Sequence, residues 1–160
     1  MLMANALGGW YPCSGARPFP GRAPLVMNVA HPVVRVYLVE DSPILTKLLV
    51  GLIEADSGAL VVGQADTARS ALADIRSLDP DVVVLDLHLR EGNGVDVIRA
   101  LRADDTPSAP TLVVLTNHSG LPYRKAAREA GADHFFDKST EIPLMLSLIR
   151  SLMGADRPAN

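Results

Sequence analysis

Residues 82–85 read Val-Val-Val-Leu, four branched aliphatic side chains in a row. A strand with one face in water alternates apolar with polar residues; an unbroken run must be covered on both faces. That requirement admits few architectures, chiefly a parallel sheet held between two layers of helices. Asp86 follows directly, then a turn, Leu87-His88-Leu89-Arg90-Glu91-Gly92-Asn93-Gly94. Open α/β sheets place ligands and chemistry just beyond the C-terminal ends of their strands. Asp86 therefore stands where a reactive carboxylate belongs, although alone it reads as a turn residue.

The flanking sequence repeats the same alternation. Residues 33–39 are strand-like. Ser42 is an N-cap and Pro43 the first helical position, after which Ile44, Leu45, Leu48, Leu49, Leu52 and Ile53 recur at helical spacing up to Ser57-Gly58. Residues 60–65 form a second strand. Thr67 caps a helix carrying Ala68, Ala71, Leu72, Ile75 and Leu78, which Asp79-Pro80 breaks. Residues 81–86 are the third strand and 95–101 a short helix after the Gly-rich turn. A loop with Pro107 and Pro110 leads to a fourth strand at 111–116. Residues 122–130 are helical and end at Gly131, and 132–137 form a short fifth strand. Ser139 or Thr140 caps a last helix with an apolar stripe of Ile142, Leu146, Ile149, Leu152 and Met153. Five strands alternating with five helices imply an α/β fold, a parallel sheet with right-handed crossovers.

Composition narrows the function classes. The chain has 160 residues, 48% hydrophobic and 21% charged, enough for one packed domain. A net charge of −3 gives no reason to expect nucleic acid or a membrane surface as partner. No apolar run reaches the length of a membrane span, and no basic n-region precedes an apolar core near the N-terminus. The single Cys13 excludes an intrachain disulfide and agrees with a reducing, cytoplasmic compartment. Residues 1–32 hold Trp10, Pro12, Pro18, Pro20, Pro24 and Pro32 without helical or strand period. They read as a poorly ordered Pro/Gly-rich extension, with Met27 an alternative start. The main domain is then 33–153, and 154–160 a short tail.

Parallel strands put their C-terminal ends on one edge. Glu40-Asp41 follows the first strand, Asp86 the third, Thr116 ends the fourth, and Asp137-Lys138 ends the fifth. Asp104-Asp105, by contrast, is an acidic pair of the sort composition alone produces, and it receives no role. Clustered carboxylates repel one another and need a cation, and an all-oxygen set suits Mg²⁺. Such an ion would bridge Asp86 and an incoming phosphoryl group. Asp86 would attack phosphorus to give an aspartyl-phosphate. Lys138 supplies a flexible ammonium for a phosphoryl oxygen, and Thr116 a hydroxyl donor.

These residues, with Lys138 inside Gly131-Ala132-Asp133-His134-Phe135-Phe136-Asp137-Lys138-Ser139, make residues 33–153 resemble the receiver domain of bacterial two-component response regulators, of the CheY-like stand-alone type. The resemblance implies a flavodoxin-like, doubly wound (βα)5 fold with strand order 2-1-3-4-5. It implies that Asp86 takes its phosphoryl group from a phosphohistidine on a sensor histidine kinase or histidine phosphotransfer protein. It implies Mg²⁺ ligation by Asp41, Asp86 and the backbone carbonyl of His88, with Glu40 acting through water. It also implies a switch in which Thr116 moves toward the phosphoryl group and Phe135 swings inward, reshaping the face of helix four, strand five and helix five. Four positions depart from the family pattern. Ser139 stands where the family has Pro after a cis peptide, and a cis bond before Ser costs roughly 3 kcal/mol, which leaves the loop geometry open. Phe135 replaces the common Tyr. Arg90-Glu91 lies where a Pro is frequent. Asn117 follows Thr116 where the family has a small residue, which narrows access for the donor. His88, Asn117 and His118 flank the phosphoryl position and are candidates for tuning its lifetime.

The expected function is that of a single-domain regulator signalling to an unidentified protein target. It would act as a monomer or as a phosphorylation-dependent dimer through helices four and five. Tyr123, Arg124 and Lys125 lie on a candidate docking surface, and no basic element suits DNA. The competing readings are a small Mg²⁺-dependent phosphatase with an aspartyl nucleophile, a receiver that folds without being phosphorylated, and the excised receiver of a longer regulator. A phosphatase of that kind often uses a second Asp two residues after the nucleophile, and here that position is His88.

Overall fold

A computed structural model describes residues 2–4, 10–12, 33–104, 106 and 108–153. Strands β1 (Arg35–Val39), β2 (Leu60–Ala65), β3 (Val82–Leu85), β4 (Thr111–Thr116) and β5 (His134–Asp137) form one parallel sheet in the order β2-β1-β3-β4-β5. The helices are α1 (Pro43–Leu52), α2 (Ala68–Leu78), α3 (Gly94–Ala103), α4 (Leu121–Ala130) and α5 (Ile142–Leu152). The order 2-1-3-4-5 expected from the resemblance is thus the observed one. Among the described residues no helix is long and apolar enough to cross a membrane.

The Val82–Leu85 run behaves as its composition demands. Val83 and Leu85 join Tyr37, Val39, Leu112 and Val114 against α2, α3 and α4, through Ile75, Val97, Ile98, Leu101 and Ala127. Val82 and Val84 join Val36, Leu38, Val113 and Leu115 against α1 and α5, through Leu49, Met145 and Ile149. Successive strand residues point to opposite faces, so an unbroken aliphatic run feeds both cores at once.

Tyr37 is the largest polar-tipped side chain in this interior. Its ring is fully buried and its hydroxyl donates to Asp74 Oδ2 at 2.8 Å. Gly63 on β2 makes room, since a Cβ there would lie 2.7 Å from the ring. Burial, then the Asp74 hydrogen bond and charge, push the phenol well above the usual tyrosine range. The folded state therefore keeps this proton after the unfolded chain has lost it, and its contribution to stability is full below about pH 10 and declines above it. Denaturant midpoints of the wild type should fall with rising pH above about pH 10, and less steeply in Tyr37→Phe. Equal slopes would remove this account.

Element starts differ in detail from the sequence reading. Ser139 and Thr140 do not cap α5; Glu141 occupies that position and makes no side-chain cap bond. Its carboxylate is taken instead by the backbone N–H of Asp137 at 2.7 Å. Asn93 caps α3, its Oδ1 accepting from Val95 N–H at 2.8 Å, so the helix begins at Gly94. α1 continues through one π-helical stretch, Ile53–Ser57, and ends at Gly58 in the left-handed region. β5 begins at His134, two residues later than expected. Separately, Leu2–Ala4 pairs antiparallel with Trp10–Pro12, where the sequence pattern suggests no strand. Apart from that pair, the extension read over 1–32 and the tail at 154–160 lie outside the described residues.

Candidate functional site

The ladder runs one residue past three strand ends. Glu40 N–H donates to Ala65 O at 2.9 Å, Asp86 N–H to Val39 O at 3.0 Å, and Lys138 N–H to Thr116 O at 3.0 Å. This register brings together the side chains that the sequence placed at neighbouring strand ends. Lys138 Nζ lies 2.5 Å from Asp86 Oδ2 and 2.6 Å from Glu40 Oε2. Glu40, Asp86 and Lys138 are 6%, 8% and 9% exposed, low enough that each charge depends on the others for partners. Burial pulls the Lys138 ammonium down, but the hydrogen bonds and charges of Asp86 and Glu40 outweigh it and hold it above the usual lysine range.

Asp41 adds a third, half-buried carboxylate; oxygen atoms of Glu40, Asp41 and Asp86 all lie within 4.8 Å of one another. Three carboxylates against one ammonium leave negative charge in excess. The donors are hard oxygens only, a set that fits a divalent cation of the Mg²⁺ class rather than a soft metal. Backbone groups hold the carboxylates in place: Ser42 N–H donates to Glu40 Oε1 at 3.1 Å and His88 N–H to Asp86 Oδ1 at 3.1 Å.

The turn after Asp86 folds back beneath it. Gly94 N–H donates to Leu87 O at 2.9 Å, and a Cβ on Gly94 would lie 2.2 Å from Asp86 O and 2.8 Å from Leu87 Cα. Only glycine allows this approach of backbone to backbone. The Gly-rich turn is legible in the sequence, but this role of Gly94 is not.

Thr116 is fully buried, and its Oγ1 accepts from His118 N–H at 3.3 Å. Val114 pairs with Phe135 across β4 and β5, so Thr116, two residues on, extends the face that carries Phe135. The two phenylalanines divide between the cores: Phe135 packs on the α2–α3–α4 side and Phe136 on the α1–α5 side, both half-buried. Phe135 carries the Arg124 guanidinium 4.5 Å above its ring centre.

Asn117 is exposed, and its Oδ1 accepts from the Ser139 hydroxyl at 3.5 Å. The Lys138–Ser139 peptide is trans, like the other peptide bonds among the described residues. The rings of His88 and His118 lie 3.8 Å apart at 30°, with Tyr123 5.5 and 5.2 Å away. These three exposed rings link the loops after β3 and β4. The sequence places Tyr123 only on a candidate docking surface; nothing in the local pattern joins it to the histidines. Arg124 likewise has no local signal for its place on Phe135.

A family model for the response regulator receiver domain matches residues 36–150. The nitrate/nitrite response regulator protein NarP of Escherichia coli (strain K12) is 31% identical over 117 residues, covering 73% of this chain and 54% of NarP. A protein-glutamate methylesterase/protein-glutamine glutaminase of Halalkalibacterium halodurans is 31% identical over 121 residues, 75% of this chain and 35% of the relative. The chain thus spans about half or less of the length of these curated relatives. Among solved structures, a two-component response regulator of the LuxR family from Aurantimonas sp. SI85-9A1 superposes with a TM-score of 0.69 at 32% identity, covering 76% of this chain and 86% of that one. The response regulator domain of Thermotoga maritima CheB has the same fold, with a TM-score of 0.67 at 23% identity over 78% of this chain and 99% of that one. With the model match, these likenesses identify the chain as a member of the response regulator receiver domain family of two-component signalling.

Proposed function

We propose that Asp86 is the phosphoacceptor of a phosphorylation switch. The observation that carries this reading is the buried contact of Lys138 with Asp86 and Glu40, with an Asp41 oxygen within 4.8 Å of oxygens of both carboxylates. An Asp86 oxygen attacks phosphorus of a phosphohistidine; the P–O bond forms, the P–N bond breaks, and the imidazole leaves with its electron pair and is protonated. The donor is a sensor histidine kinase or a histidine phosphotransfer protein. Glu40, Asp41, Asp86 and the His88 carbonyl are the groups that would hold Mg²⁺, which supplies charge neutralisation at the phosphoryl oxygens.

The remaining work belongs to this chain's own groups. Lys138 exchanges its Asp86 contact for a phosphoryl oxygen. Thr116 gives up the His118 N–H and donates its hydroxyl to another. Phe135 follows into the space on the same sheet face, and the surface of α4, β5 and α5 changes. Exposed Leu121 and Tyr123 on α4 and Leu144 on α5 support output by protein contact through that surface. The adjoining His88 and His118 rings, with Asn117 next in sequence to His118, shape the access of water to the acyl phosphate.

Mass spectrometry with acetyl phosphate tests the reading. The wild type should gain one phosphoryl group with Mg²⁺ and none when EDTA removes the ion. Absence of any gain, or steady turnover of a phosphomonoester in place of stoichiometric labelling, would overturn the proposal. The half-life of the label in His88→Ala and His118→Ala reports on lifetime tuning; unchanged half-lives remove that role.

A further inference from the structure

We propose that Arg124 is a latch that holds Phe135 in its resting place and so sets how readily the domain accepts a phosphoryl group. The inference rests on the switch proposed above. Arg124 projects from the first turns of α4 and reaches three other segments at once. Its Nε donates to Ser119 O in the loop after β4 at 3.1 Å, its Nη1 to Phe135 O on β5 at 3.4 Å, and its Nη2 to Glu141 Oε2 at the start of α5 at 3.5 Å. The guanidinium carbon stands 4.5 Å above the Phe135 ring centre, a cation–π geometry.

The partners are themselves anchored to the end of β5. Glu141 Oε2 also accepts the Asp137 N–H at 2.7 Å, and Asp137 Oδ1 accepts the Ser139 N–H at 2.7 Å. Thr116, Ser119, Phe135, Asp137 and Glu141 thus belong to one connected patch, with Arg124 on top of the aromatic ring. Thr116 cannot approach Asp86 without drawing on the loop that carries Ser119, and the Phe135 ring cannot turn inward without leaving the guanidinium. Both movements break contacts that Arg124 makes here.

Other arginines mark the contrast. Arg102 also ties distant segments, donating to Gly131 O at 2.8 Å and Pro110 O at 3.2 Å and pairing with Asp133, but none of these belongs to the patch. Arg76 pairs with Asp104 and Arg99 with Asp96 at the surface. The Arg124 contacts to Phe135 O and Glu141 are long, and the pair with Glu141 is 41% and 31% exposed. Exposed contacts of this length are individually weak. A weak latch suits a switch, because a ligand moves a two-state equilibrium only by its differential affinity for the two states. Its apparent affinity falls by the fraction of molecules held in the wrong state.

The test titrates the 160-residue chain with beryllofluoride, a stable mimic of the phosphoryl group, in the presence of Mg²⁺, by calorimetry. Arg124→Ala should bind about three- to tenfold more tightly than wild type. Arg124→Lys keeps the charge but not the fork and should fall between them. In a Phe135→Leu background the effect of Arg124→Ala should be smaller by the share the ring contact carries, a coupling that a merely structural role would not produce. Thermal melts of each variant check folding. Unchanged or weaker binding by a folded Arg124→Ala overturns the latch and leaves the phosphoacceptor reading standing. Wild type that binds no beryllofluoride overturns both.

Discussion

Asp86→Asn should gain no phosphoryl mass under conditions that label the wild type to near completion. The amide has no nucleophilic oxygen comparable to a carboxylate, so the covalent step is lost rather than slowed. The fold should survive the change. Lys138 keeps Glu40 as a partner at 2.6 Å, while the single amide oxygen can accept from His88 N–H or from Lys138 but not from both. One negative charge leaves a cluster of three carboxylates around a single ammonium, which relieves repulsion. The relieved repulsion and the lost Lys138 contact oppose each other, so the variant should melt close to wild type, and its Mg²⁺ binding should weaken because one carboxylate of the proposed ion site has lost its charge. Labelling equal to wild type would place the acceptor elsewhere and remove the central claim.

Gly94→Ala should damage both stability and acceptance. The added Cβ meets Asp86 O at 2.2 Å and Leu87 Cα at 2.8 Å, and these are backbone atoms just beyond the C-terminal end of a buried strand. No side-chain rotation relieves such a clash; either the turn or the end of β3 must shift. Overpacking against well-packed structure costs about 1–3 kcal/mol, and more where backbone must move. The shift displaces the backbone of Asp86, the proposed acceptor, so labelling should slow alongside the loss of stability. Gly51→Ala is the control. It lies in the exposed part of α1 with nothing within 4 Å of the added carbon. There the substitution should stabilise by roughly 0.5–1 kcal/mol through helix propensity and a stiffer unfolded chain. Urea midpoints that fall for the first and rise for the second meet the expectation. Equal responses at the two glycines would show that the close approach at Gly94 carries no weight.

The sequence by itself determined the layered architecture and nominated the candidate site residues. Val82–Leu85 required cover on both faces, the helical spacing of Leu45, Leu49 and Ile53 required a buried stripe, and Ser42, Thr67 and Gly131 marked ends. Glu40, Asp41, Asp86, Thr116 and Lys138 were legible for the same local reason, since each stands at or just beyond a strand end and parallel strands share one edge. Strand order came only with the resemblance, because alternation alone leaves several orders open. Tertiary structure decided everything that depends on which distant segment lies alongside. It gave the Glu141 carboxylate to Asp137 N–H and Arg124 instead of leaving α5 to Ser139 or Thr140. It sent Phe135 and Phe136 to opposite cores, brought the His88 ring against His118 near Tyr123, and pressed Gly94 against Asp86. Periodicity and capping depend on neighbours within a few residues, whereas these contacts join residues of separate loops or strands. Their geometry exists only after the sheet has set its register and the crossovers have brought the loops together.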